Sequence, residues 1–176
     1  MLSTVEPSSD RQGGQATVEF ALVAIILFVM LFAILDFGTF FAGRITATNA
    51  ARTAARYAAT HPTAWSNAAS PPNNSIQGRL VSAAVPAQIQ NDDTHVTISY
   101  IVPGAGAGIN CGHYSAAAGG FVATTGYTQA TCVVPGSLVQ VQVHYVYTLA
   151  SPALTALGLD PGSISVDGTA AELEER

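Results

Sequence analysis

The side chains of this chain that could do chemistry are few and widely spaced. Two cysteines, Cys111 and Cys132, stand 21 positions apart with no CxxC pair, a spacing that speaks against zinc and against a dithiol redox centre. A structural disulfide suits them better: closing a loop of this size stabilises a fold by roughly 3 kcal/mol in the chain-entropy account and requires an oxidising compartment. His61, His95, His113 and His144 are scattered, with no second ligand at metal-binding spacing, so each is expected as an ordinary surface or strand residue. The segment "SYIVPGAGAGIN" puts Gly104, Gly106 and Gly108 behind a strand-like run. A dinucleotide fingerprint would need its third glycine at the position held by Ile109. The chain has no lysine, which removes a phosphate-binding P-loop, and neither HExxH nor GxSxG occurs. The expectation is a protein that is not an enzyme and has no cofactor and no metal site.

What remains is one carboxylate in an unusual place. Glu19 heads an apolar run: Phe20 to Leu35 are sixteen uncharged, almost wholly apolar residues, and after Asp36 the run resumes as "FGTFFAG". At about 1.5 Å per helical residue, those sixteen cover roughly 24 Å, short of a ~30 Å hydrocarbon core. Adding Ala16 to Val18 and Phe37 to Gly43 closes the gap. An acid at a bilayer centre costs about 2.5 to 3.5 kcal/mol and far less at an interface. Glu19 and Asp36 both sit near the ends, where that cost is tolerable.

The elements that must position these residues follow from pattern. Residues 1–14, "MLSTVEPSSDRQGG", read as a disordered leader, being polar and holding Pro7 and a glycine pair. From Gln15 to about Thr60 there is no proline and the sequence is alanine-rich, which predicts one helix, its half over 15–43 transmembrane. In the second half, Phe37, Phe41, Ile45, Thr48, Ala51 or Arg52, and Ala55 follow helical steps, so this stripe is expected to pack on a soluble domain and to leave the arginines and Asn49 exposed. Pro62 ends the helix, and a shorter one fits "IQGRLVSAAVPAQIQND" with Pro86 kinking or dividing it. Past Asp93 the period becomes two. "HVTISYIV" and "LVQVQVHYVYTL" read as half-buried antiparallel strands, with Tyr100, Tyr145 and Tyr147 filling a sheet face, and "ISVDGTAAEL" as a third strand. Between the first two lies a Gly-, Ala- and Thr-rich stretch over 103–137, expected as a long loop.

Charge narrows the partners. Eleven acids against six arginines give a net charge of -5, and only 10% of residues are charged, against roughly 25% in ordinary soluble domains. Nucleic acid is not an expected partner; membrane lipid is. Arg44, Arg52 and Arg56 follow the apolar run, against the positive-inside tendency if the C-terminal domain is outside the cell. The cysteine pair favours the outside.

A secretory signal would carry a basic n-region and a cleavage site behind its apolar core. Here the apolar run flows directly into a continuing helix, so processing is expected in front of it. Gly14 followed by Gln15, Ala16, Thr17, Val18, Glu19 and Phe20 resembles the type IV pilin-class signal, a glycine with glutamate at the fifth position after it and an aromatic next. With "LDFGTFFAGRITATNAARTAARYAA", the closing strand "VQVHYVY" and the terminal "ISVDGTAAELEER", the chain resembles the TadE-like family of pseudopilins, most specifically over Arg11 to Ala59. Arg11 as the leader's only base and Asp36 in place of the commoner glutamate are departures from that pattern.

The resemblance implies an α+β, pilin-like fold, a long N-terminal helix on a small antiparallel sheet, with 44–176 as the extracytoplasmic domain. It implies a single-pass protein of the cell membrane, or of the pilus itself, that assists assembly of Flp pili in tight-adherence secretion systems. Prepilin peptidase, other pilins or pseudopilins and pilus-assembly membrane proteins would be its partners. Gly14 and Gln15 would flank the cleaved bond, and Glu19 and Phe20 would serve assembly. Cleavage would place a new α-amino group one helical turn ahead of Glu19, so that a second subunit's amino group could neutralise the carboxylate in lipid. Alternatively, Glu19 is simply favoured by the helix dipole in the first turn. A different class stays open, an unprocessed membrane-anchored binding or adhesion module.

Overall fold

The computed structural model describes residues 10–85, 87, 89–104, 108–148 and 163–174. It has an α+β architecture: α1 (Asp10–Thr60), α2 (Ile76–Ala83), β1 (Val96–Val102), β2 (Ile109–Ser115), β3 (Gly120–Ala123), α3 (Gln129–Cys132), β4 (Leu138–Thr148) and β5 (Ser163–Leu173). The chain divides into two compact units between Thr39 and Phe40.

In the first unit, α1 begins at Asp10, so residues 10–14 are helical rather than the irregular leader expected of them. Extending an established helix through Gly13 and Gly14 costs about 1 kcal/mol per glycine and no new nucleus. The first nine residues lie outside the described ones. This is the one helix among the described residues long and apolar enough to cross a membrane, and none of its most apolar window is buried in the chain. Phe20, Ile26 and Ile34 are each more than 60% exposed. Thr39 returns its hydroxyl to the carbonyls of Leu35 (3.1 Å) and Asp36 (2.9 Å), the internal satisfaction a polar group needs in hydrocarbon.

In the second unit, five antiparallel strands form one sheet in the order β3-β2-β1-β4-β5. Val96, Ile98 and Tyr100 on β1 and Val139, Val141 and Val143 on β4 point to one face, registered Val96 to Val143, Ile98 to Val141 and Tyr100 to Val139. Against them lies α1, which gives the core Ala47, Ala50, Ala51, Ala54, Ala55 and Ala58. The expected stripe holds at Ala51 and Ala55, both fully buried, and fails at its large residues: Phe37, Phe41 and Ile45 are 62%, 51% and 62% exposed. Close approach decides it, because alanine lets the helix backbone reach the sheet. A Cβ on Gly168 of β5 would lie 2.9 Å from backbone atoms of Ala47 and Thr48. The arginines and Asn49 are exposed, as the pattern required.

The 103–137 stretch is not one long loop. It holds β2, β3 and α3: β3 and α3 have four residues each, too few for a periodic signal, and β2 has no regular in-out alternation; polar locks build them. The Asp93 carboxylate accepts hydrogen bonds from Ser115 Oγ (2.7 Å) and from the amides of Ala116 (2.5 Å) and Ala117 (3.2 Å), which fixes the turn between β2 and β3. Thr128 and Thr131 cap α3 reciprocally. Cys111 and Cys132 are joined, with Cα atoms 5.6 Å apart and both side chains fully buried. α2 starts at Ser75, whose Oγ accepts from Gly78 N at 3.0 Å, the usual use of serine at an N-cap. Pro86 lies outside the described residues, as does Gly106.

Candidate functional site

The acid singled out in the sequence lies on the long apolar helix α1 with a partner from its own chain. Gln15 Nε2 donates to Glu19 Oε1 at 3.0 Å, one helical turn away, with both side chains exposed. Phe20 beside it is 74% exposed. Gly14 lies one residue ahead, and a Cβ there would meet nothing within 4 Å. Packing thus gives no reason for glycine at 14, whereas it gives a strong one at 168 and a weaker one at Gly43, where the Cβ would meet the Tyr145 ring at 2.8 Å.

The remaining candidates serve the fold. Tyr100 is fully buried; Trp65 Nε1 donates to its hydroxyl at 2.8 Å, and the hydroxyl donates to the Pro62 carbonyl. Burial lifts this hydroxyl well above the ordinary tyrosine range. Trp65 stacks on Tyr114 with centroids 5.5 Å apart, so the proline-rich segment after α1 closes one end of the core. No periodicity marks that role in the sequence, and it was missed there. Tyr145 and Tyr147 are half-buried, Tyr147 meeting Phe40 edge-on at 5.9 Å.

His61 stacks on Tyr57, His95 Nδ1 pairs with Asp92 at 2.7 Å, His144 Nδ1 pairs with Asp167 at 2.7 Å, and His113 is exposed. Among the described residues no group of three or more His, Cys, Asp or Glu could hold a metal. The cavity beside His95, about 340 Å³, is lined by Ala87, Ile89, Gln90, Tyr145, Val146 and Tyr147, and its histidine is already committed to Asp92.

Three acids of the second unit have shifted protonation. Burial pushes Asp93 up, but its hydrogen bonds from Ala116, Ser115 and Ala117 outweigh this and hold it below the usual range. Asp92 is likewise raised by burial and brought lower overall by His95 and Thr94. Glu174 is different. It is 8% exposed and burial raises it, opposed by one hydrogen bond from Ser137 Oγ at 2.7 Å.

Neither the curated proteins nor the solved structures supply a match. Residues 14–56 match the family model described as TadE-like protein. The matched stretch opens on Gly14, includes Gln15, Glu19 and Phe20, and runs into the alanine face. Residues 14–56, the stretch that holds the glycine, the acid and most of the helix they share, are thus similar to TadE-like protein.

Proposed function

We propose that the chain is a membrane-anchored pseudopilin that assists assembly of Flp-type pili in a tight-adherence system, after prepilin peptidase cuts between Gly14 and Gln15. The TadE-like segment and the membrane-anchor-like helix support involvement in the Tad/Flp pilus system. The observation that carries the finer reading is at Gly14. It is a glycine that the fold does not need, placed five residues ahead of an acid in an otherwise apolar helix. A residue unexplained by its own chain is explained by a second protein that reads it.

In this reading the second unit is extracytoplasmic, where its disulfide persists. The role is assembly, without catalysis and without a cofactor. Cleavage frees the Gln15 α-amino group, and Glu19 exchanges its Gln15 side-chain partner for a charged amino group of a neighbouring subunit. Co-purification from membranes tests it: the wild-type chain should carry pilus-assembly proteins with it, and Glu19→Ala should lose them while still inserting. Retention by Glu19→Ala would overturn the role assigned to Glu19.

A further inference from the structure

Charge in the second unit is segregated. Arg52 and Arg56 are exposed on the outer side of α1, away from the buried alanines, while Arg44 lines a cleft with Asp167 of β5; the ion pairs among the described residues are His95–Asp92 and His144–Asp167, and none of the three arginines is in one. The acids lie at the foot of β1 and along β5. Glu172, near the end of β5, is exposed, and its carboxylate is in neither of the ion pairs among the described residues.

The two features stand at one height. Tyr147, registered to Ile164, meets Phe40; Tyr145, registered to Val166, meets the Gly43 position; Gly168 itself abuts Ala47. Each two-residue step along β5 therefore matches three to four residues of α1. Two more steps bring Glu172 level with about residue 54, between Arg52 and Arg56.

Among the described residues β5 is also an open edge of the sheet. His144 N donates to His95 O, and Glu174 N to Ser137 O, both at 2.8 Å. By alternation the odd-numbered residues of β4 bond toward β5, and the even-numbered residues of β5 bond back. The odd-numbered residues from Ser163 to Leu173 direct their N–H and C=O groups outward, over an unbroken register of eleven residues. Exposed edges of this length are normally covered.

With α1 upright in a bilayer, headgroups at Arg44 do not reach Arg52 and Arg56. Arg52 and Arg56 lie about 12 and 18 Å beyond Arg44 along the helix, more than the roughly 5 to 8 Å of headgroup on each side of a bilayer. We propose that the Arg52–Arg56 face of one copy docks on the β5 edge of a second copy, with the guanidinium groups on Glu172 and the outward carbonyls. Guanidinium offers donors only, and the exposed Asn49 on the same helix offers an acceptor for the outward amides. Copies anchored with one topology share one height, so the proposal rests on the membrane anchorage in the preceding reading. The contact is heterologous: the two faces differ, so copies add in a row rather than closing as a pair.

Disulfide trapping tests it on the full chain in proteoliposomes containing no other protein. A mass-tagged Arg56→Cys copy mixed with an untagged Glu172→Cys copy should give the mixed adduct as the dominant oxidised product, and one chain carrying both changes should give a ladder beyond dimer. Adding Arg52→Glu to the mixture should reduce the adduct. No mixed adduct, or adducts only between like positions, would overturn the proposal. Because the preparation holds neither peptidase nor pilus proteins, a missing adduct beside a normally matured chain in cells would sink this contact alone.

Discussion

Gly168 of β5 lies against the backbone of Ala47 on α1, so close that a Cβ would stand 2.9 Å from the Ala47 carbonyl. This contact sets how near the helix comes to the sheet, and it is why the helix buries alanines. Gly168→Ala should destabilise the second unit by about 1 to 3 kcal/mol, the usual cost of overpacking, seen as a lower midpoint in thermal unfolding. An unchanged midpoint would mean that helix and sheet separate freely.

Gly14 supplies the contrast. Gly14→Leu meets open space and should leave insertion and the unfolding midpoint unchanged, while abolishing loss of the leader on a gel of whole membranes. A normally processed Gly14→Leu chain would remove Gly14 as the recognition residue.

Much of this was legible in the sequence, and the failures share a cause. The long apolar helix, the disulfide and the strands at β1, β4 and β5 announced themselves through run length, spacing and alternation. The packing face of α1 did so only in part: Ala51 and Ala55 of the expected stripe are buried, but Phe37, Phe41 and Ile45 repeat at helical spacing, mimic a core stripe and are exposed. Alanine, the residue actually buried, carries little hydropathy contrast, and its use depends on Gly168 more than a hundred residues away. β2 and β3 were hidden for a similar reason: their hairpin is tied by Asp93, a contact across the chain with no local pattern. Of the site, Gly14, Gln15, Glu19 and Phe20 were visible as a motif. The Gln15 to Glu19 hydrogen bond and the open space at Gly14 needed coordinates.

Acid stability should depend on Asp93. Its folded pKa is depressed, so its contribution is present above the unfolded value and is lost as pH falls through 3.8 and below. Asp93→Asn keeps one acceptor oxygen for three donors and should cost about 1 to 3 kcal/mol at neutral pH, with a shallower decline in acid. Denaturant melts at several pH values read both effects; parallel pH profiles for the two chains would contradict this.

Glu174 should act with the opposite sign. Burial raises its folded pKa above 4.5, so its contribution is present below the unfolded value and is lost as pH rises through the folded one. Glu174→Gln retains an acceptor for Ser137 Oγ and should stabilise the chain at neutral pH but not in acid. Destabilisation by Glu174→Gln at neutral pH would show that the buried carboxylate is favourable when charged.

Reduction should matter as well. Cys111 and Cys132 are fully buried, so a mild reductant should act only on unfolding, and the Cys111→Ser, Cys132→Ser double variant should lose roughly 3 kcal/mol of stability by the loop-closure estimate. Rapid reduction of the native chain would show that the bond is accessible.

The central claim is that a peptidase reads Gly14 and releases a helix with Glu19 one turn inside it. Intact mass and N-terminal sequencing of the chain extracted from membranes test this most directly. The expected result is a protein beginning at Gln15, with residues 1–14 gone. A membrane-inserted chain that retains Gly14 would contradict it and leave an unprocessed anchored module in its place.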